Sequence, residues 1–495
     1  MSEHVGYIVK ISTLNPHPNA DRLQIATIFD QSVIVDLNTQ IGDIGVFFPT
    51  DLQLSEEYCK ENDLVRRKDE NGNPAGGYLE PGKRNIRAMR LRGAKSEGLF
   101  MPLMSLAYTG ETKFAVGDQI TIVNGHEICC KYIPRHNPQR QSSRAGNRTR
   151  RHGVPISPLF AEHADTEQLV YHLDDFHVGD QIEITLKMHG TSGRTGYLPK
   201  FQGYENDSFA CRAGNALRRI FNKLRGLPDP EPHHDGTPVY DWGYVTGTRR
   251  TVLNDFEEGG YYGNNSFRAP HAQFFEGKLH KGETVYYEIV GFTDDGTPIM
   301  PSVNNSKISD KEFTKMYGKE TVFSYGCNPK GYVTQYGSDD NGMFELPIEV
   351  PKSDFYVYRM TMTNEDGDVV EYTPDFMRYR CEQMGVKTVP VLWKGYINES
   401  DLINMHIDED GNPFMGTAGE YIREVAEQFY DGPDPIGKTH VREGVVIRIV
   451  NRPKFCAYKH KNFSFKVLEG LAKDLAAEPD MEEAQDIIEE EEEYG

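Results

Sequence analysis

The sequence predicts an α+β fold in which a large domain built on antiparallel sheets follows a small all-β barrel. The chain has 495 residues, enough for two to four domains with separate cores. Residues 4 to about 133 contain short strand-like runs separated by turns, as in a barrel. From residue 156 to about 470, β-rich runs alternate with turns such as Thr293–Gly296, which favours antiparallel pairing.

Charge is unevenly distributed and defines two further segments. The net charge is −21, but acidic residues are concentrated between Glu478 and Glu493, so residues 471–495 are predicted to be a solvated acidic tail. The stretch from Lys131 to Arg151 is rich in arginine and contains no acidic residue. Residues 134–155 are therefore predicted to be a basic linker able to bind phosphate, placed between domains at 1–133 and 156–470.

The composition also excludes several classes of protein. No apolar stretch approaches the length that spans a bilayer, and Met1–His4 does not begin a signal peptide, so the cytoplasm is the expected location. The seven cysteines are odd in number and contain no Cys-x-x-Cys pair. Neither a disulfide framework nor a zinc site is indicated, and the thiols are expected to be reduced and mostly buried.

The segment from Glu183 to Arg194 places a lysine at the end of an apolar strand and a glycine three residues later. The strand would hold the amine of Lys187 in a partly dry pocket, where a lysine can act as a nucleophile. Gly190 would let the backbone approach a phosphate, and Arg194 would bind a sugar or phosphate beyond it. Because Lys-x-x-Gly is common by chance, it predicts a site only when matching partners follow.

Two acidic strands and a lysine pair follow in the order that such a site needs. Glu288 lies inside the apolar run Val285–Gly291, and a buried carboxylate needs a partner such as a ribose hydroxyl. Glu443 precedes a second apolar run. Lys459 and Lys461 are two residues apart, so they share one face of an extended segment and can bind one polyphosphate together.

In this order, the motifs resemble those of the covalent nucleotidyltransferases, which include polynucleotide ligases and mRNA capping enzymes. Lys187–Thr191 carries His189 where DNA ligases and capping enzymes usually have aspartate, and it most resembles the ATP-dependent RNA ligases. Thr246–Arg250 resembles the arginine-bearing segment of the family, and Phe355–Met360 resembles its adenine-stacking strand. The resemblance covers roughly residues 160 to 470 and implies that 156–470 is the nucleotidyltransferase domain.

The resemblance implies a lysyl-AMP mechanism. Lys187 would attack the α-phosphorus of ATP and expel pyrophosphate, and burial together with Lys459 and Lys461 would favour its neutral amine. The two cations would also neutralise phosphate charge in the transition state. AMP would then pass to an RNA 5′-phosphate, and attack by a 3′-hydroxyl would seal the ends.

The same resemblance assigns the ligand contacts. Glu288 would hold the ribose, Tyr358 would stack on the adenine, and Glu443 would help to place Mg²⁺ or Mn²⁺. The complete predicted nucleotide-binding set is His189, Gly190, Arg194, Arg249, Glu288 and Tyr358. The choices between Arg249 and Arg250 and between Tyr358 and Tyr356 stay open.

Near the N-terminus, His17–Ala26 and Ile86–Leu99 resemble the OB-fold tRNA-binding domain appended to several synthetases. Residues 1–133 are therefore predicted to be an OB-fold nucleic-acid-binding domain, with a groove for the ligand. The cations that would line this groove are Arg87, Arg90, Arg92 and Lys95. The alternative is a structural appendage whose arginines are merely solvated.

Two other segments invite a functional interpretation. Gly432–Thr439 matches the P-loop pattern literally, but Pro433 and Pro435 remove amide donors and Asp434 adds a repelling charge, so no phosphate site is predicted. Ala213–Leu224 predicts a basic helix that would either lie along a duplex or present a solvated face.

Taken together, the residues and the resemblance predict a monomeric RNA ligase that joins 3′-OH and 5′-phosphate ends. The expected partners are ATP, Mg²⁺ or Mn²⁺, and RNA, with a duplex nick as the expected substrate and RNA repair as the expected role. Two alternatives remain open. One is an mRNA guanylyltransferase, which would use GTP, and the other is a non-catalytic RNA-binding protein.

Overall fold

The computed structural model describes residues 4–68, 74–132, 150–151, 154–164, 166–228, 230, 232–249, 252–253, 266–308, 310–339, 342–403, 405–407 and 413–475. Within these ranges the chain is a mixed α/β protein. Every pair of neighbouring named strands is antiparallel except one, which confirms the predicted dominance of antiparallel sheets.

The N-terminal region, residues 4–132, is almost entirely β-structure. Its strands are β1 (Gly6–Lys10), β2 (Leu14–Pro16), β3 (Leu23–Ile28), β4 (Gln31–Asp36), β5 (Ile44–Phe48), β6 (Leu52–Leu54), β7 (Arg67–Lys68), β8 (Pro74–Gly76), β9 (Ala88–Leu91), β10 (Ala94–Glu97), β11 (Leu99–Pro102), β12 (Gln119–Ile120), β13 (Ile122–Val123), β14 (His126–Glu127) and β15 (Cys129–Lys131). Its helices are α1 (Glu56–Glu61) and a 3₁₀ segment at Leu103–Thr109.

Both faces of the main N-terminal sheet are covered. The sheet has the order β11-β5-β1-β12, and β2, β3 and β4 form a separate three-stranded sheet. Because side chains alternate along a strand, Ile8 of β1 enters one core while Tyr7 and Val9 enter another. Among the described residues these sheets do not close into a barrel, and the OB-fold assignment stays a prediction.

The C-terminal region contains the two largest sheets. Its strands are β16 (Arg150–Arg151), β17 (Val154–Pro155), β18 (Glu167–Gln168), β19 (Gln181–Lys187), β20 (Thr191–Glu205), β21 (Thr237–Gly247), β22 (Val252–Leu253), β23 (Glu283–Gly291), β24 (Val303–Asn304), β25 (Glu320–Thr321), β26 (Tyr332–Asp339), β27 (Gly342–Glu349), β28 (Ser353–Thr363), β29 (Val369–Glu371), β30 (Val391–Tyr396), β31 (His406–Ile407), β32 (Pro413–Phe414), β33 (Gly444–Ile449) and β34 (Ala457–Lys461). Its α-helices are α2 (Phe209–Leu224), α3 (Ala269–Gln273), α4 (Lys311–Tyr317), α5 (Pro374–Met384), α6 (Glu399–Leu402), α7 (Ala418–Glu427) and α8 (Phe463–Leu475). Short 3₁₀ segments lie at Leu169–Tyr171, Leu173–Asp175, Ser266–Arg268 and Asn305–Ile308.

A shared core joins the two large sheets. The six-stranded sheet has the order β22-β21-β20-β23-β28-β29, and the five-stranded sheet has the order β18-β34-β33-β19-β30. Leu186 of β19, Tyr287 of β23 and Leu468 of α8 belong to one buried cluster. On its other face the five-stranded sheet packs against α7, with Ile184 and Ile422 in a second cluster. The site described below lies where the two sheets meet.

A buried ion pair links α5 to the six-stranded sheet. Helix α5 begins at the Thr373 cap and ends at Gly385, whose left-handed conformation suits glycine. Its Arg380 donates from Nε and Nη2 to the Glu283 carboxylate, each at 2.8 Å. Burial would raise the pKa of Glu283, but hydrogen bonds from Arg380 and from the His280 amide hold that pKa below its usual value.

We expect Glu283→Ala to lower the free energy of unfolding by roughly 3–5 kcal/mol, because Arg380 is left buried without its partner. Since the folded pKa of Glu283 is depressed, its contribution is present above the unfolded pKa and is lost as the pH falls through the folded pKa. Denaturant unfolding at neutral and acidic pH measures both effects. Glu382→Ala, on the exposed side of α5, is the matched control. Equal stability losses for the two variants would contradict the prediction.

The β9–β10 hairpin of the N-terminal region packs against α8. The guanidinium of Arg90 and the ammonium of Lys95 lie 5.2 and 5.1 Å from the centre of the Phe463 ring. Lys466 of α8 pairs with Glu97 at 2.7 Å. Two of the four cations predicted to line a nucleic-acid groove thus contact an aromatic ring of the other region, an arrangement that cation–π attraction stabilises.

The predicted basic linker and acidic tail extend beyond the described residues. Residues 133–149 of the basic segment and residues 476–495 lie outside the described residues, whereas 471–475 are the last turn of α8. All seven cysteines are free, as expected, and Cys59, Cys129, Cys327 and Cys381 are buried. Among the described helices, none has the length and apolar character needed to cross a membrane.

Candidate active site

Lys187 lies at the junction of the two large sheets. Strand β19 of the five-stranded sheet ends at Lys187, and β20 of the six-stranded sheet begins at Thr191, so Met188–Gly190 is the crossing between them. The register places Lys187 opposite Gly444 of β33, and Gly444 opposite Lys461 of β34. Three sequence-distant motifs therefore meet in one row across adjacent strands.

Glu443 lies between the two lysines of this row. Its Oε1 is 2.7 Å from Lys187 Nζ and 3.4 Å from Lys461 Nζ. The Glu443 side chain is 2% exposed, whereas those of Lys187 and Lys461 keep 23% and 15% of their surface. One buried carboxylate thus serves two ammonium groups at the edge of solvent.

The charges in this cluster depend on one another. Burial raises the pKa of Glu443, but Lys187 and Lys461 outweigh it and hold that pKa far below its usual range. Burial likewise lowers the pKa of Lys187, yet Glu443 raises it, and the net shift is upward despite Lys461. The charge balance around Lys187 therefore favours its protonated form, whereas burial and nearby cations were expected to favour the neutral amine; the Glu443 carboxylate, 2.7 Å from Nζ, accounts for the difference.

Two glycines permit the close strand contacts around the lysine row. Gly444 has φ of 156°, and a Cβ there would lie 2.1 Å from the His460 carbonyl oxygen. A Cβ at Gly190 would lie 2.3 Å from the carbonyl oxygen of Ile289 on β23. Gly190 is therefore required by the approach of two backbones, and its predicted role beside a phosphate stays a proposal.

His189 is held over the Glu443 carboxylate by aromatic neighbours. Its ring meets those of Phe323 and Phe465 edge-on, with centroids 4.6 and 4.8 Å away. Its backbone amide donates to the hydroxyl of Tyr325 at 2.7 Å. Burial raises the pKa of Tyr325 well above its usual value, so this hydroxyl stays neutral.

The second oxygen of Glu443 fits a metal ligand. Oε2 is buried and accepts no hydrogen bond from any described residue. His189 Nδ1 is 3.6 Å from this oxygen, which exceeds hydrogen-bonding distance. A buried ionised oxygen with unused lone pairs suits a divalent cation that prefers oxygen ligands.

Lys459 and Lys461 share a face of β34, as their spacing predicts, and both are half-buried. Lys461 Nζ donates to both carboxylate oxygens of Glu469 on α8, at 2.8 and 3.0 Å. The predicted site did not include Glu469. Glu469 of helix α8 thus holds the Lys461 ammonium in position beside Glu443.

Glu288 and the two candidate tyrosines lie on adjacent strands. Glu288 of β23 pairs in register with Ser192 of β20 and with Tyr356 of β28, and its charge contributes to the raised pKa of Lys187. Tyr356 is buried and donates to Asp354 Oδ2 at 3.3 Å. Tyr358 is half-buried, with its ring 5.2 Å from that of His163.

A group of arginines surrounds His163. Burial and the charges of Arg359, Arg249 and Arg194 lower the pKa of His163 well below its usual value. Its neutral Nδ1 accepts a hydrogen bond from Arg359 Nη1 at 3.2 Å. The structure therefore brings three predicted residues, Arg194, Arg249 and Tyr358, to one unpredicted histidine.

Arg194 is held in place by two residues that precede the five-stranded sheet in the chain. Its side chain is buried, its guanidinium lies 4.2 Å from the centre of the Phe160 ring, and Nη1 donates to the Ala161 carbonyl. Arg250 lies outside the described residues.

The P-loop-like segment is organised around its own aspartate. Asp434 is fully buried, and Oδ1 accepts hydrogen bonds from the amides of Ile436 and Gly437, each at 2.9 Å. Oδ2 accepts from the Thr439 amide at 3.3 Å. The donors that a phosphate would need are thus occupied, which agrees with the expectation that this segment is not a phosphate site.

Comparison with known proteins agrees with the site geometry. The family model described as RNA ligase matches residues 180–468, more than half of the chain and all of the lysine row. No curated protein sequence matches the chain.

Solved structures of a Naegleria gruberi RNA ligase share the fold. A variant with ATP and Mn is 16% identical, covers 93% of this chain and 98% of that chain, and has a TM-score of 0.51. The same ligase with PPi is 16% identical, with coverage of 93% and 97% and a TM-score of 0.51. An apo variant is 15% identical, with coverage of 94% and 98% and a TM-score of 0.51. The family match, with Lys187, Glu443 and Lys461 gathered at one junction, establishes that the chain belongs to the RNA ligase family.

Proposed function

We propose that the chain seals RNA with ATP and that Lys187 is the nucleophile. Lys187 Nζ forms a bond to the α-phosphorus of ATP, and pyrophosphate leaves. AMP passes from the lysine to an RNA 5′-phosphate, and attack by a 3′-hydroxyl forms the phosphodiester and releases AMP. The observation that carries this proposal is the position of Lys187 Nζ, 2.7 Å from a buried glutamate and in register with Lys461.

Lys187 must lose a proton before it can attack. Lys461 favours this loss because its charge lowers the pKa of Lys187, whereas Glu443 opposes it. Lys461 and Lys459 would then lie beside the phosphates and stabilise negative charge that develops on them. The Naegleria gruberi ligase similar in fold was solved with ATP and Mn, which supports the choice of nucleotide.

Glu443 is the proposed ligand for Mg²⁺ or Mn²⁺, through the oxygen that accepts no hydrogen bond from the described residues. A divalent cation bound there would supply positive charge to the phosphates. His189 would keep the carboxylate in place from its aromatic surroundings, 3.6 Å from Oε2.

The remaining predicted residues are proposed to hold the rest of the nucleotide and the RNA. Glu288 would accept hydrogen bonds from the ribose, since its charge acts on Lys187 from the neighbouring sheet. Tyr358 would stack on adenine, with Tyr356 as the alternative because it is opposite Glu288 in register. Arg194 and Arg249 would bind sugar or phosphate beside His163.

Incubation with nucleotide labelled at the α-phosphate tests the proposal. Label carried from ATP into the chain supports the ligase, and label carried from GTP would indicate an mRNA guanylyltransferase. No label from either would indicate a non-catalytic RNA-binding protein. We favour the first because Lys187, Glu443 and Lys461 lie together at one junction and the family model that matches the chain is described as RNA ligase.

A panel of 5′-phosphorylated RNAs tests the substrate. We propose that the substrate is a nicked duplex and that the N-terminal region contacts this RNA as an OB-fold domain. We further propose that the chain acts as a monomer in the cytoplasm, in RNA repair. If the chain sealed free single strands in preference to the nick, the proposed nicked-duplex substrate would be wrong. The mass of the chain in solution tests the monomeric state.

We expect Glu469→Gln to slow adenylylation of the chain by about tenfold, equivalent to about 1.4 kcal/mol. Removing the charge frees the Lys461 ammonium, which then moves toward Glu443, now 3.4 Å away, and away from the phosphates. Single-turnover labelling at saturating ATP measures the rate. Glu469→Asp should recover part of it, and Glu382→Gln, an exposed glutamate on α5, should leave it unchanged. A normal rate in Glu469→Gln would show that Lys461 needs no second anchor.

A further inference from the structure

Helix α2 presents a largely exposed apolar face, on which the Arg225 guanidinium lies 4.1 Å from the centre of the Phe221 ring. None of its residues is buried. Leu217, Ile220, Phe221 and Leu224, spaced as one face of a helix, are between 53% and 82% exposed. Soluble proteins rarely leave such a contiguous stripe in water, so this face indicates a binding surface.

The flanks of this face carry positive charge. Arg212, Arg218, Arg219, Lys223 and Arg225 surround the apolar stripe, and residues 208–228 contain no acidic residue. The helix is anchored mainly at its N-terminal end, where the Asn215 side chain donates to the His233 carbonyl at 2.6 Å and Ser208 Oγ donates to Asp235 at 2.5 Å. Its partner must therefore combine negative charge with apolar side chains.

One segment of this chain has that combination. Residues 478–493, which lie outside the described residues, contain ten acidic residues in sixteen positions. Met481, Ala484 and Ile488 occur among them at intervals of three and four, the spacing of one helical face. The segment follows α8 directly, so it is present at high local concentration around the C-terminal region.

We propose that residues 478–493 bind to the apolar and basic face of α2 in the same molecule. Met481 and Ile488 meet the stripe formed by Leu217, Phe221 and Leu224, and the flanking glutamates pair with the arginines and Lys223. A second copy of α2 fits this face poorly because the cations that flank both stripes repel each other. RNA supplies the negative charge and stacks its bases on an aromatic ring such as Phe221, but it offers no side chains to the aliphatic residues of the stripe.

Zero-length carboxyl-to-amine crosslinking of the full chain, followed by peptide mass spectrometry, tests the proposal. Lys223 is an exposed lysine in α2, so we expect it to link to glutamates of residues 489–493. The exposed Lys113 of the N-terminal region measures random linkage and should give several-fold less. Mixing isotope-labelled and unlabelled chains separates links within one chain from links between chains.

The combined variant Leu217→Asp and Phe221→Asp keeps Lys223 but removes the apolar stripe, and it should reduce the link several-fold. Met104→Asp with Ile122→Asp, at exposed apolar positions elsewhere, should not change the link. Links found mainly between chains, or links unaffected by the α2 variant, would overturn the proposal. It would equally be overturned if Lys223 gave no such link while Arg219→Glu weakened RNA binding, since α2 would then be an RNA surface.

Discussion

Lys187→Ala is expected to abolish transfer of label from ATP to the chain, a loss of more than about a thousandfold. Lys461, the other lysine beside Glu443, cannot take its place with the same geometry, because it is hydrogen-bonded to Glu469 at 2.8 Å and lies on a different strand. The measurement is retention of α-phosphate label on the denatured chain. Lys187→Arg should be equally inactive, since a guanidinium stays protonated and is not a nucleophile.

RNA that already carries AMP on its 5′-phosphate distinguishes loss of the nucleophile from loss of the fold. Sealing of such RNA needs no lysyl-AMP, so Lys187→Ala should retain measurable joining while ATP-dependent joining disappears. If the variant kept its label, another residue would be the nucleophile. If the variant lost both activities while its unfolding transition stayed normal, Lys187 would be needed for sealing as well as for adenylylation.

The order of elements could be predicted because each depends on local sequence. Alternation of apolar residues identifies β19, β23 and β33, and the turns between them favour antiparallel pairing. The basic helix is confirmed and begins at Phe209, four residues before its predicted start, since the Ser208 side chain caps it. The closed N-terminal barrel is not seen among the described residues because closure depends on long-range pairing that turns do not specify.

Which residues lie together in the site could be predicted better than their ionic partners and protonation. The motif order correctly grouped Lys187, Glu443 and Lys461, and the structure places them in one row. Glu443 was expected to serve a metal, yet in this arrangement its Oε1 is the ionic partner of Lys187 at 2.7 Å. The residues are 256 positions apart, and the pKa of an amine depends on distances that only the strand register fixes.

Residues that act through tertiary contact had no local pattern. His163, Tyr325 and Glu469 lie in a loop, in a turn and on a helix, and none is part of a recognisable motif. Likewise, the charges of Arg90 and Lys95 are evident from the sequence, but their contact with the Phe463 ring of the other region is not. A charged side chain in a sequence therefore predicts an electrostatic role without specifying its partner.

Glu443→Gln should reduce both stability and catalysis, because one carboxylate compensates two lysines. Removing the charge takes the carboxylate partner from Lys187 and leaves Lys461 paired with Glu469 alone, and we expect a loss of roughly 3–5 kcal/mol in unfolding free energy. The same change in a Lys187→Met background should cost about 1–3 kcal/mol less, since one cation is gone. Denaturant unfolding of the four chains measures this coupling.

The rate of adenylylation distinguishes a catalytic role of Glu443 from that of a buried ion pair that only stabilises the fold. We expect Glu443→Gln to slow adenylylation by at least about a hundredfold, the usual effect of removing one preorganised electrostatic group. Glu183→Gln is the matched control, since Glu183 is a buried glutamate on β19 that pairs with Arg378 at 2.7 Å and faces no proposed ligand. It should lose comparable stability and keep its adenylylation rate. Equal rates in the two variants would mean that Glu443 supports the fold alone, and the metal and proton roles assigned to it would have to be abandoned.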